Sequence, residues 1–417
     1  MRLPLGSGLQ QPGGTTAASG LHHERTRPIY KTAFVSTYPP QRCGIATFTA
    51  DLAAAVGNSE IVALEPPEKT GFYPAEVKRR IARDVRGEYL SAARWIDDRS
   101  FDAVSIQHEY GIWGGRDGAH VLDFVKALRT PTVVTLHTVL EHPSPSQRRI
   151  LSELVKISTA TVVMSTSAAT LLSRSYGTDP SRVEIIPHGV PYLPLVASDT
   201  VKPQLGLKGR TVILSFGLLG PGKGYESAIA AMPAVIRADP SALYVILGAT
   251  HPDLIRREGE SYRYSLEDLA STLGVAGHVR FVGRYVDARE LGLWLTAADI
   301  FVTPYPNLEQ IVSGTLSYAM GAGKAIVSTP YAYARERLAD GRGRIVEAGS
   351  SEALAGGLIA LALNSTLRKE HGRLAYEHSR SMVWPEVGAT YRQVFARVGV
   401  QDAVRPSFAI PAETVAA

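Results

Sequence analysis

Cysteine is nearly absent from this sequence: Cys43 is the only one among 417 residues, which excludes a disulfide within the chain. Long apolar runs are missing as well, because none reaches the roughly 18 residues that a membrane-spanning helix needs. The first eight residues contain no continuous apolar stretch of the kind found in secretory signals. These absences predict a protein of the reducing cytoplasm.

A strong excess of one charge is also absent. The sequence has 44 lysines and arginines against 39 aspartates and glutamates, and the net charge of +5 is too small for a protein whose main partner is a nucleic acid. It contains neither the cysteine and histidine spacing of a zinc site nor the G-x-S-x-G turn of a serine hydrolase. We therefore expect no nucleic-acid partner and no structural metal.

What the sequence does contain is an alternation of short apolar runs with helix-length segments. It is 45% hydrophobic and 20% charged, as globular proteins are, and its length favours two domains. Residues 1–27 are polar and glycine-rich, which predicts a disordered tail. The strands predicted after it are 31–36, 60–64, 103–107, 132–136, 161–165 and 184–187. The helices predicted between them are 46–56, 75–97, 119–128, 147–157 and 167–175.

A second series of the same kind follows a break in the pattern. Residues 190–203 contain three prolines, which places a linker there. The strands predicted beyond it are 212–216, 242–247, 279–282, 300–303, 325–328 and 343–346. Strands separated by helix-length segments form parallel sheets covered on both faces, so we predict two doubly wound α/β domains. Their predicted bounds are 28–197 and 198–381, with an aromatic helix over 382–397 and a flexible tail over 398–417.

The segment over residues 215–226 is the most informative part of the chain. It places glycines and Lys223 where a predicted strand turns into a helix, and the free N–H groups of a helix start favour an anion. Gly217, Gly222 and Lys223 fit the first seven positions of a P-loop, but Gly224 stands where a hydroxyl would bind magnesium. A phosphate site is therefore predicted, with a plain glycine-rich turn as the alternative.

Four further motifs also lie at the ends of predicted strands. They are Gly44-Ile45-Ala46-Thr47, Thr135-Leu136-His137-Thr138, Ile186-Pro187-His188-Gly189-Val190, and the strand, polar loop, helix and strand over residues 298–328. Together with the loop at Lys223, they resemble the retaining nucleotide-sugar glycosyltransferases of the GT4 group over residues 30–397. The resemblance implies a GT-B fold, in which two Rossmann-like domains face a cleft and the last helix crosses back to the first domain.

The departures from the GT4 pattern concern the donor side. Leu218 stands where the group usually has an arginine that pairs with the lysine on the diphosphate. Gln310 and Tyr318 fall at the positions of the group's two glutamates, and Glu309 lies one position early. These departures concern the contacts that the group makes with the ribose and with the donor sugar.

The resemblance implies roles for named side chains. Lys223 would neutralise the departing nucleoside diphosphate, His137 would lie near the reacting sugar, and Glu309 or Gln310 would contact the donor. These make Lys223, His137 and Glu309 the predicted catalytic residues. The predicted donor-binding residues are Gly44, Ile45, Gly217, Gly222, Lys223, Gln310, Ser313, Gly314, Thr315 and Arg284, the last as a replacement for the missing arginine. Structural roles stay open for several, since Ser313 also fits an N-cap and Gly44 a turn.

Two clusters in the predicted first domain point to the acceptor. A strand-end cluster offers polar groups and a stacking ring to a carbohydrate; it consists of His108, Glu109 and Trp113. A basic cluster lies on the helix predicted over 75–97; it includes Lys78, Arg79, Arg80 and Arg83. The basic face is either simply solvated or in weak contact with an anionic membrane at its inner surface.

The expected activity is transfer of a hexosyl group, mannosyl or glucosyl, from a nucleotide sugar to a hydroxyl of a carbohydrate or glycolipid acceptor. The sequence contains no Asp-x-Asp, which argues against a metal-dependent GT-A enzyme, and the resemblance implies no bound metal and no cofactor. Two alternatives stay open. A GT-B glycan phosphorylase, or another enzyme using a sugar phosphate, would need no nucleoside pocket. A non-catalytic nucleotide-sugar-binding protein would suit the missing arginine at Leu218.

Overall fold

The computed structural model describes residues 30–68 and 71–403, and its first half is a seven-stranded parallel sheet. The strand order is β3-β2-β1-β4-β5-β6-β7. The central strands are buried along their whole length, because apolar clusters cover both faces of the sheet. The strands are β1 Thr32–Ser36, β2 Ser59–Glu65, β3 Val77–Ala82, β4 Ala103–His108, β5 Thr132–Leu136, β6 Ala160–Val163 and β7 Val183–Ile185.

Five helices connect these strands, and three of them, α1, α4 and α5, begin with a side-chain cap. Ser144 and Gln147 form a reciprocal capping box at the start of α4, and Ser165 caps α5 through the Ala168 N–H. The helices are α1 Gly44–Val56, α2 Arg86–Asp97, α3 His120–Ala127, α4 Pro145–Ile157 and α5 Thr166–Tyr176.

The second half is a six-stranded parallel sheet in the order β10-β9-β8-β11-β12-β13. Its strands are β8 Thr211–Phe216, β9 Ala242–Leu247, β10 Val279–Val282, β11 Ile300–Thr303, β12 Ala325–Ser328 and β13 Arg344–Ile345. Its helices are α6 Tyr225–Ala238, α7 Pro252–Glu258, α8 Ser261–Thr272, α9 Ala288–Ala297, α10 Gly314–Gly321, α11 Ala332–Arg337, α12 Ser351–Leu363 and α13 Ser365–His378. The parallel sheets, with helices on their faces, confirm the predicted α/β class.

One predicted element is wrong. Residues 75–97 do not form a single helix, because Val77–Ala82 is strand β3 at the edge of the first sheet and α2 begins only at Arg86. Val77 and Ile81 are four residues apart, a spacing that alternate residues of a strand also satisfy. Lys78 and Arg80 are exposed while Ile81 is buried, so the basic residues lie along a sheet edge.

The last described helix, α14 Trp384–Ala403, crosses back to the first half and packs along α1. A Cβ on Gly388 would lie 2.6 Å from the Ala55 carbonyl oxygen, so the two helices are in close contact. The flexible tail predicted from residue 398 is wrong as far as Ala403, because Val398 is still buried in this packing. The remaining predicted tail residues, 1–27 and 404–417, lie outside the described residues.

The two halves touch directly around the cleft between the sheets. The Glu336 carboxylate accepts hydrogen bonds from the Thr166 and Ser167 N–H groups at 3.1 and 3.0 Å, which caps α5 from the other half. Arg337 donates to the Met164 carbonyl at 2.7 Å, and Ser165 Oγ donates to the Ile311 carbonyl at 2.9 Å. None of the described helices is long and apolar enough to cross a membrane.

Candidate active site

The glycine-rich turn after β8 depends on backbone conformations that favour glycine. Gly217, Gly222 and Gly224 have φ angles of 129°, 89° and 71°. A Cβ on Gly224 would lie 2.0 Å from the Pro304 carbonyl oxygen, so the turn packs on the loop after β11. Lys223 Nζ lies 4.7 Å from the centre of the Tyr305 ring, and this cation–π contact positions the lysine where β8 and β11 end.

The N-terminus of α10 lies beside this turn. Ser313 caps the helix, since its Oγ accepts a hydrogen bond from the Leu316 N–H at 3.2 Å. The Tyr305 hydroxyl lies 2.8 Å from Thr315 Oγ1, so one tyrosine contacts both the lysine and the first turn of α10. A helix start and a nearby cation favour the same anion. The structure thus brings together the predicted donor residues Lys223, Ser313, Gly314 and Thr315, through a tyrosine that the sequence analysis did not single out.

Gly314 at the start of α10 contacts a histidine from the chain segment after β7. A Cβ on Gly314 would lie 2.8 Å from His188 Nε2, which leaves room only for glycine. His188 Nδ1 lies 2.7 Å from the Gly189 carbonyl oxygen, an acceptor, so Nδ1 carries the proton and Nε2 is the free lone pair. Burial lowers the pKa of His188 to about 4, and the ring is therefore neutral at pH 7.

The structure distinguishes the two candidates for donor contact, Glu309 and Gln310. The Gln310 side-chain amide donates to the Val312 carbonyl at 2.8 Å and braces its own loop. Glu309 has a partly exposed carboxylate 3.6 Å from His142 Nε2, on the first half. Of the two side chains, Glu309 is the one that extends across the cleft.

Arg284, the expected replacement for the missing arginine, is paired with an acidic residue of its own half. It forms a bidentate pair with Glu290, with nitrogen–oxygen distances of 2.7 and 2.5 Å. Asp287 caps α9 and thereby places Glu290 in the first turn of that helix, beside Arg284. The hydrogen bonds from Arg284 lower the pKa of Glu290, so the two charges satisfy each other at the surface.

The fold does not require the first glycine of the loop after β1. Gly44 begins α1 without a left-handed φ, and nothing lies within 4 Å of where its Cβ would stand. The neighbouring Ile45 packs partly against the core, and Cys43 caps the helix through a 3.3 Å contact from the Ala46 N–H to Sγ. A glycine without a structural need is consistent with a ligand that approaches the backbone.

His137 follows β5 and lies in an apolar corner of the cleft. Its Nε2 is 2.9 Å from Gln107 Oε1, and the Phe48 ring packs against it edge-on at 4.8 Å. Burial, with smaller effects from His188 and His108, lowers the pKa of His137 to about 3. A neutral imidazole can donate and accept hydrogen bonds, and a pKa this low disfavours uptake of a proton at pH 7.

The strand-end cluster predicted for the acceptor is mostly buried. His108 is fully buried, and neither ring nitrogen has a hydrogen-bond partner among the described residues. The Glu109 carboxylate accepts from the Gly111 N–H at 2.7 Å, and burial raises its pKa. Trp113 is only 3% exposed, and its Nε1 donates to the Gln107 carbonyl at 3.0 Å. The expected stacking ring is therefore absent, because the loop after β4 folds Trp113 into the core.

Tyr318, at the position of the group's second glutamate, connects the two halves. Its hydroxyl donates to the Asp51 carboxylate on α1 at 2.9 Å. Burial raises the pKa of Asp51 and raises that of Tyr318 well above its ordinary value. The tyrosine hydroxyl is therefore already engaged by a partner within the protein.

Three potential metal ligands meet at the mouth of the cleft. Glu141, His142 and Glu309 each place one ligand atom within 4.8 Å of the others. The trio is largely exposed, and Glu141 already pairs with Arg174. A charged network of this kind is also typical of a solvated surface, so it does not by itself define a metal site.

Comparison with known families agrees with this geometry. The model described as Glycosyltransferase Family 4 matches residues 44–192, and the model described as Glycosyl transferases group 1 matches residues 198–378. Between them they account for most of the chain. The protein belongs to the GT4-type glycosyltransferases. As a member of this group it is an enzyme, with the predicted GT-B fold.

Known relatives of this glycosyltransferase include enzymes of inositol glycosylation. It is 28% identical over 313 residues to a phosphatidyl-myo-inositol mannosyltransferase of Mycolicibacterium smegmatis, covering 73% of each chain. It is 26% identical over 266 residues to D-inositol 3-phosphate glycosyltransferase 2 of Catenulispora acidiphila, covering 62% of this chain and 60% of the relative. Among solved structures, HepE of Anabaena in complex with UDP and glucose matches with a TM-score of 0.72 at 15% identity, over 88% of this chain and all of HepE.

Proposed function

We propose that this glycosyltransferase moves a hexosyl group from a nucleotide-diphosphate sugar to a hydroxyl of a carbohydrate or glycolipid acceptor, with retention of configuration. The observation that carries the proposal is the meeting of Lys223, Tyr305 and the N-terminus of α10 at the carboxyl edge of the second sheet. Ligands of doubly wound sheets bind at this edge. The cation and the free N–H groups there suit a diphosphate.

A mannosyl or glucosyl donor is the preferred choice. The mycobacterial relative is a mannosyltransferase by name, and HepE was crystallised with UDP and glucose. The relative's name also includes a phosphatidylinositol, which supports a lipid-linked acceptor for this chain as well as a free carbohydrate.

The chemistry we propose needs no bound metal. Lys223 and the start of α10 would stabilise the charge that develops on the leaving diphosphate, which is the task that a metal ion performs elsewhere. His137 is too weak a base to remove the acceptor proton. The leaving phosphate would therefore take that proton, and closure of the two halves would keep water out.

A panel of nucleotides and nucleotide sugars tests the donor. UDP, GDP, ADP and their glucose or mannose conjugates are added, with EDTA and without added metal, while thermal unfolding of the full chain is followed. Ligand at about 100 times its dissociation constant adds about 2.7 kcal/mol of stability, so a shift with one base is expected. Release of free hexose from the same donor then measures turnover.

The panel also separates the alternatives. A protein stabilised by glucose 1-phosphate or mannose 1-phosphate but by no nucleotide would be a phosphorylase. A protein stabilised by a nucleotide sugar that neither hydrolyses nor transfers it would be a binding protein. A thermal shift that appears only when magnesium is restored would overturn the metal-free chemistry.

We also propose weak contact between the edge of the first sheet and an anionic membrane. Lys78 and Arg80 are exposed on β3, and a cavity of about 410 Å³ nearby is lined by further basic residues. These residues are Arg86, Arg116, Lys126 and Arg149. Flotation with vesicles of phosphatidylglycerol and phosphatidylcholine tests it. Lys78→Glu with Arg80→Glu is expected to lower binding to anionic vesicles, and equal binding to neutral vesicles would contradict the proposal.

A further inference from the structure

Gln107 is a polar side chain in a place where the sheet is otherwise apolar. It is fully buried on β4, and its main-chain neighbour on β5 is Thr135. Burial of an amide is unfavourable unless its hydrogen bonds are made. Its Nε2 donates to Ser105 Oγ at 3.2 Å, and its Oε1 lies 2.9 Å from His137 Nε2.

This geometry assigns the proton on the histidine. The amide nitrogen is placed to donate to Ser105 Oγ, so the amide oxygen faces His137 Nε2; because an amide oxygen only accepts, this placement puts the hydrogen on Nε2. Nδ1 is then the lone pair. It has no hydrogen-bond partner among the described residues, and it is not among the fully buried atoms that lack one, so Nδ1 is accessible to solvent.

We propose that Gln107 is a positioning residue, which holds His137 as the Nε2–H tautomer and thereby leaves Nδ1 free to accept a hydrogen bond from a sugar hydroxyl in the cleft. This deepens the proposed function and rests on it, because the hydroxyl belongs to the donor hexose or to the acceptor. The surroundings maintain the arrangement. The ring of Phe48 restricts the imidazole on one side. The main-chain N–H of His137 donates to the main-chain carbonyl of His108 at 2.9 Å.

The arrangement also explains why the site uses a neutral acceptor. His137 has no carboxylate partner among the described residues, and the two histidines that influence it, His108 and His188, are buried and lack a carboxylate partner as well. An amide that presents its oxygen to Nε2 favours the Nε2–H tautomer without placing a charge beside the ring. Removal of Gln107 therefore changes the orientation and tautomer of His137 while the net charge of the site stays the same.

The first test is a spectrum of the full-length chain labelled with ¹⁵N-histidine, with His137→Gln used to assign one of the 11 histidines. We expect an Nε2–H pattern for His137, with a slowly exchanging ring proton, unchanged between pH 6 and 8. In Gln107→Met this proton is expected to exchange rapidly. An Nδ1–H pattern in the wild-type protein would overturn the proposal, and this result requires neither a variant that folds nor an active enzyme.

The second test measures turnover of the donor that the nucleotide panel identifies. Gln107→Met is expected to lower kcat by roughly 10- to 100-fold with a smaller change in KM, since misplacement of a contacting group by about 1 Å has this effect. In a double variant with His137→Ala, Gln107→Met should lower kcat no further than His137→Ala does alone. Thr135→Val is the matched control. Thr135 lies on the neighbouring strand β5, and the substitution removes a buried hydroxyl that lies 3.0 Å from the Tyr391 hydroxyl.

The outcomes distinguish a failure of the role of Gln107 from a failure of the proposed function. A wild-type protein with the expected spectrum but no turnover with any donor would leave the role of Gln107 intact and count against the proposed function. Full turnover in Gln107→Met, or losses in the double variant that add to those of His137→Ala, would count against the role of Gln107 alone.

Discussion

The two halves of the cleft are built on the same kind of parallel sheet, yet their strand ends differ in chemistry. In the first half, His108 and His137 end neighbouring strands and are held neutral by burial. In the second half, Lys223 lies on the face of Tyr305 beside an open helix start. One side therefore suits hydroxyl groups, and the other suits an anion.

This difference explains how one fold handles both ends of a nucleotide sugar. A diphosphate needs positive potential and free N–H groups, which a glycine turn and a helix start provide together. A sugar has no charge, and a charged group near it would attract water or the diphosphate instead. Under the proposed function, neutral histidines avoid this competition, and the glycine-containing turns would let the ligand approach the backbone on both sides.

The sharpest way to break the comparison is to remove the cation of the second half. Lys223→Ala is expected to lower kcat by about 10² to 10³, the usual effect of losing one charge-stabilising group, with little change in unfolding temperature. Lys208→Ala is the matched control, because Lys208 is an exposed lysine at the opposite end of β8. Steady-state turnover of the identified donor measures both. Full activity in Lys223→Ala would mean that the anion is held elsewhere.

Two glycines distinguish packing from ligand approach. Gly314→Ala is expected to destabilise the protein by about 1–3 kcal/mol, because its Cβ would meet His188 at 2.8 Å. Gly44→Ala meets nothing within 4 Å and should stabilise α1 by up to about 1 kcal/mol. Urea unfolding measures both. If Gly44→Ala also keeps full nucleotide affinity, the backbone of the first half does not contact the donor.

The buried histidines predict acid sensitivity for the first half. The pKa of His108 is lowered to about 4 by burial, against about 6.5 when unfolded. Between these values the unfolded chain binds a proton that the folded protein does not, so stability falls as the pH drops from 6.5 to 4. His108→Leu should reduce this slope by up to about 1.4 kcal/mol per pH unit. Urea unfolding at several pH values checks it, and an unchanged slope in His108→Leu would contradict the prediction.

The smallest effect is expected at the contact between the halves. Tyr318→Phe removes the hydrogen bond to Asp51 and should cost about 1 kcal/mol. The raised pKa of Asp51 makes stability change with pH in the opposite direction from the buried histidines. The folded protein keeps a proton there that the unfolded chain has lost, so this contribution to stability is lost as the pH rises through the raised pKa.

Asp51→Asn keeps an acceptor for Tyr318 and removes the buried charge. It should therefore be neutral or stabilising at pH 7, with the gain shrinking as the pH falls toward the ordinary aspartate range. Thermal unfolding across this range measures the effect. Loss of stability at pH 7 would show that the ionised carboxylate is a favourable part of the contact.

Local sequence patterns predicted most of the strands of the two sheets. The strands β5, β9, β10, β11 and β12 match the predicted residues at both ends, because each is a short, mostly apolar run between polar turns. The strand β3 was missed because it lies at a sheet edge, where three consecutive basic residues stand between Val77 and Ile81. Its pairing with the preceding strand β2 decides that segment.

The site was predictable where function requires an unusual residue type. Glycines and a lysine at a strand end identified the turn around Lys223. Tyr305 was missed, although the prolines on both sides of it mark a loop at the end of β11. Gln107 was missed because a polar residue inside an apolar strand shows no partner in the sequence. The burial of Trp113 and the pairing of Arg284 with Glu290 were not predicted, since the fold of one loop and a helix cap determine these contacts.

The sequence by itself determined the two parallel sheets, the glycine turns at their strand ends and the position of Lys223, because these follow from periodicity and backbone sterics over a few residues. Only the tertiary structure decided which side chains meet. The pairing of Gln107 with His137, of Tyr305 with Lys223 and of Tyr318 with Asp51 joins residues 30, 82 and 267 positions apart. Burial then shifts the pKa values of His137, Asp51 and Tyr318, and burial is a property of the folded protein rather than of any short segment.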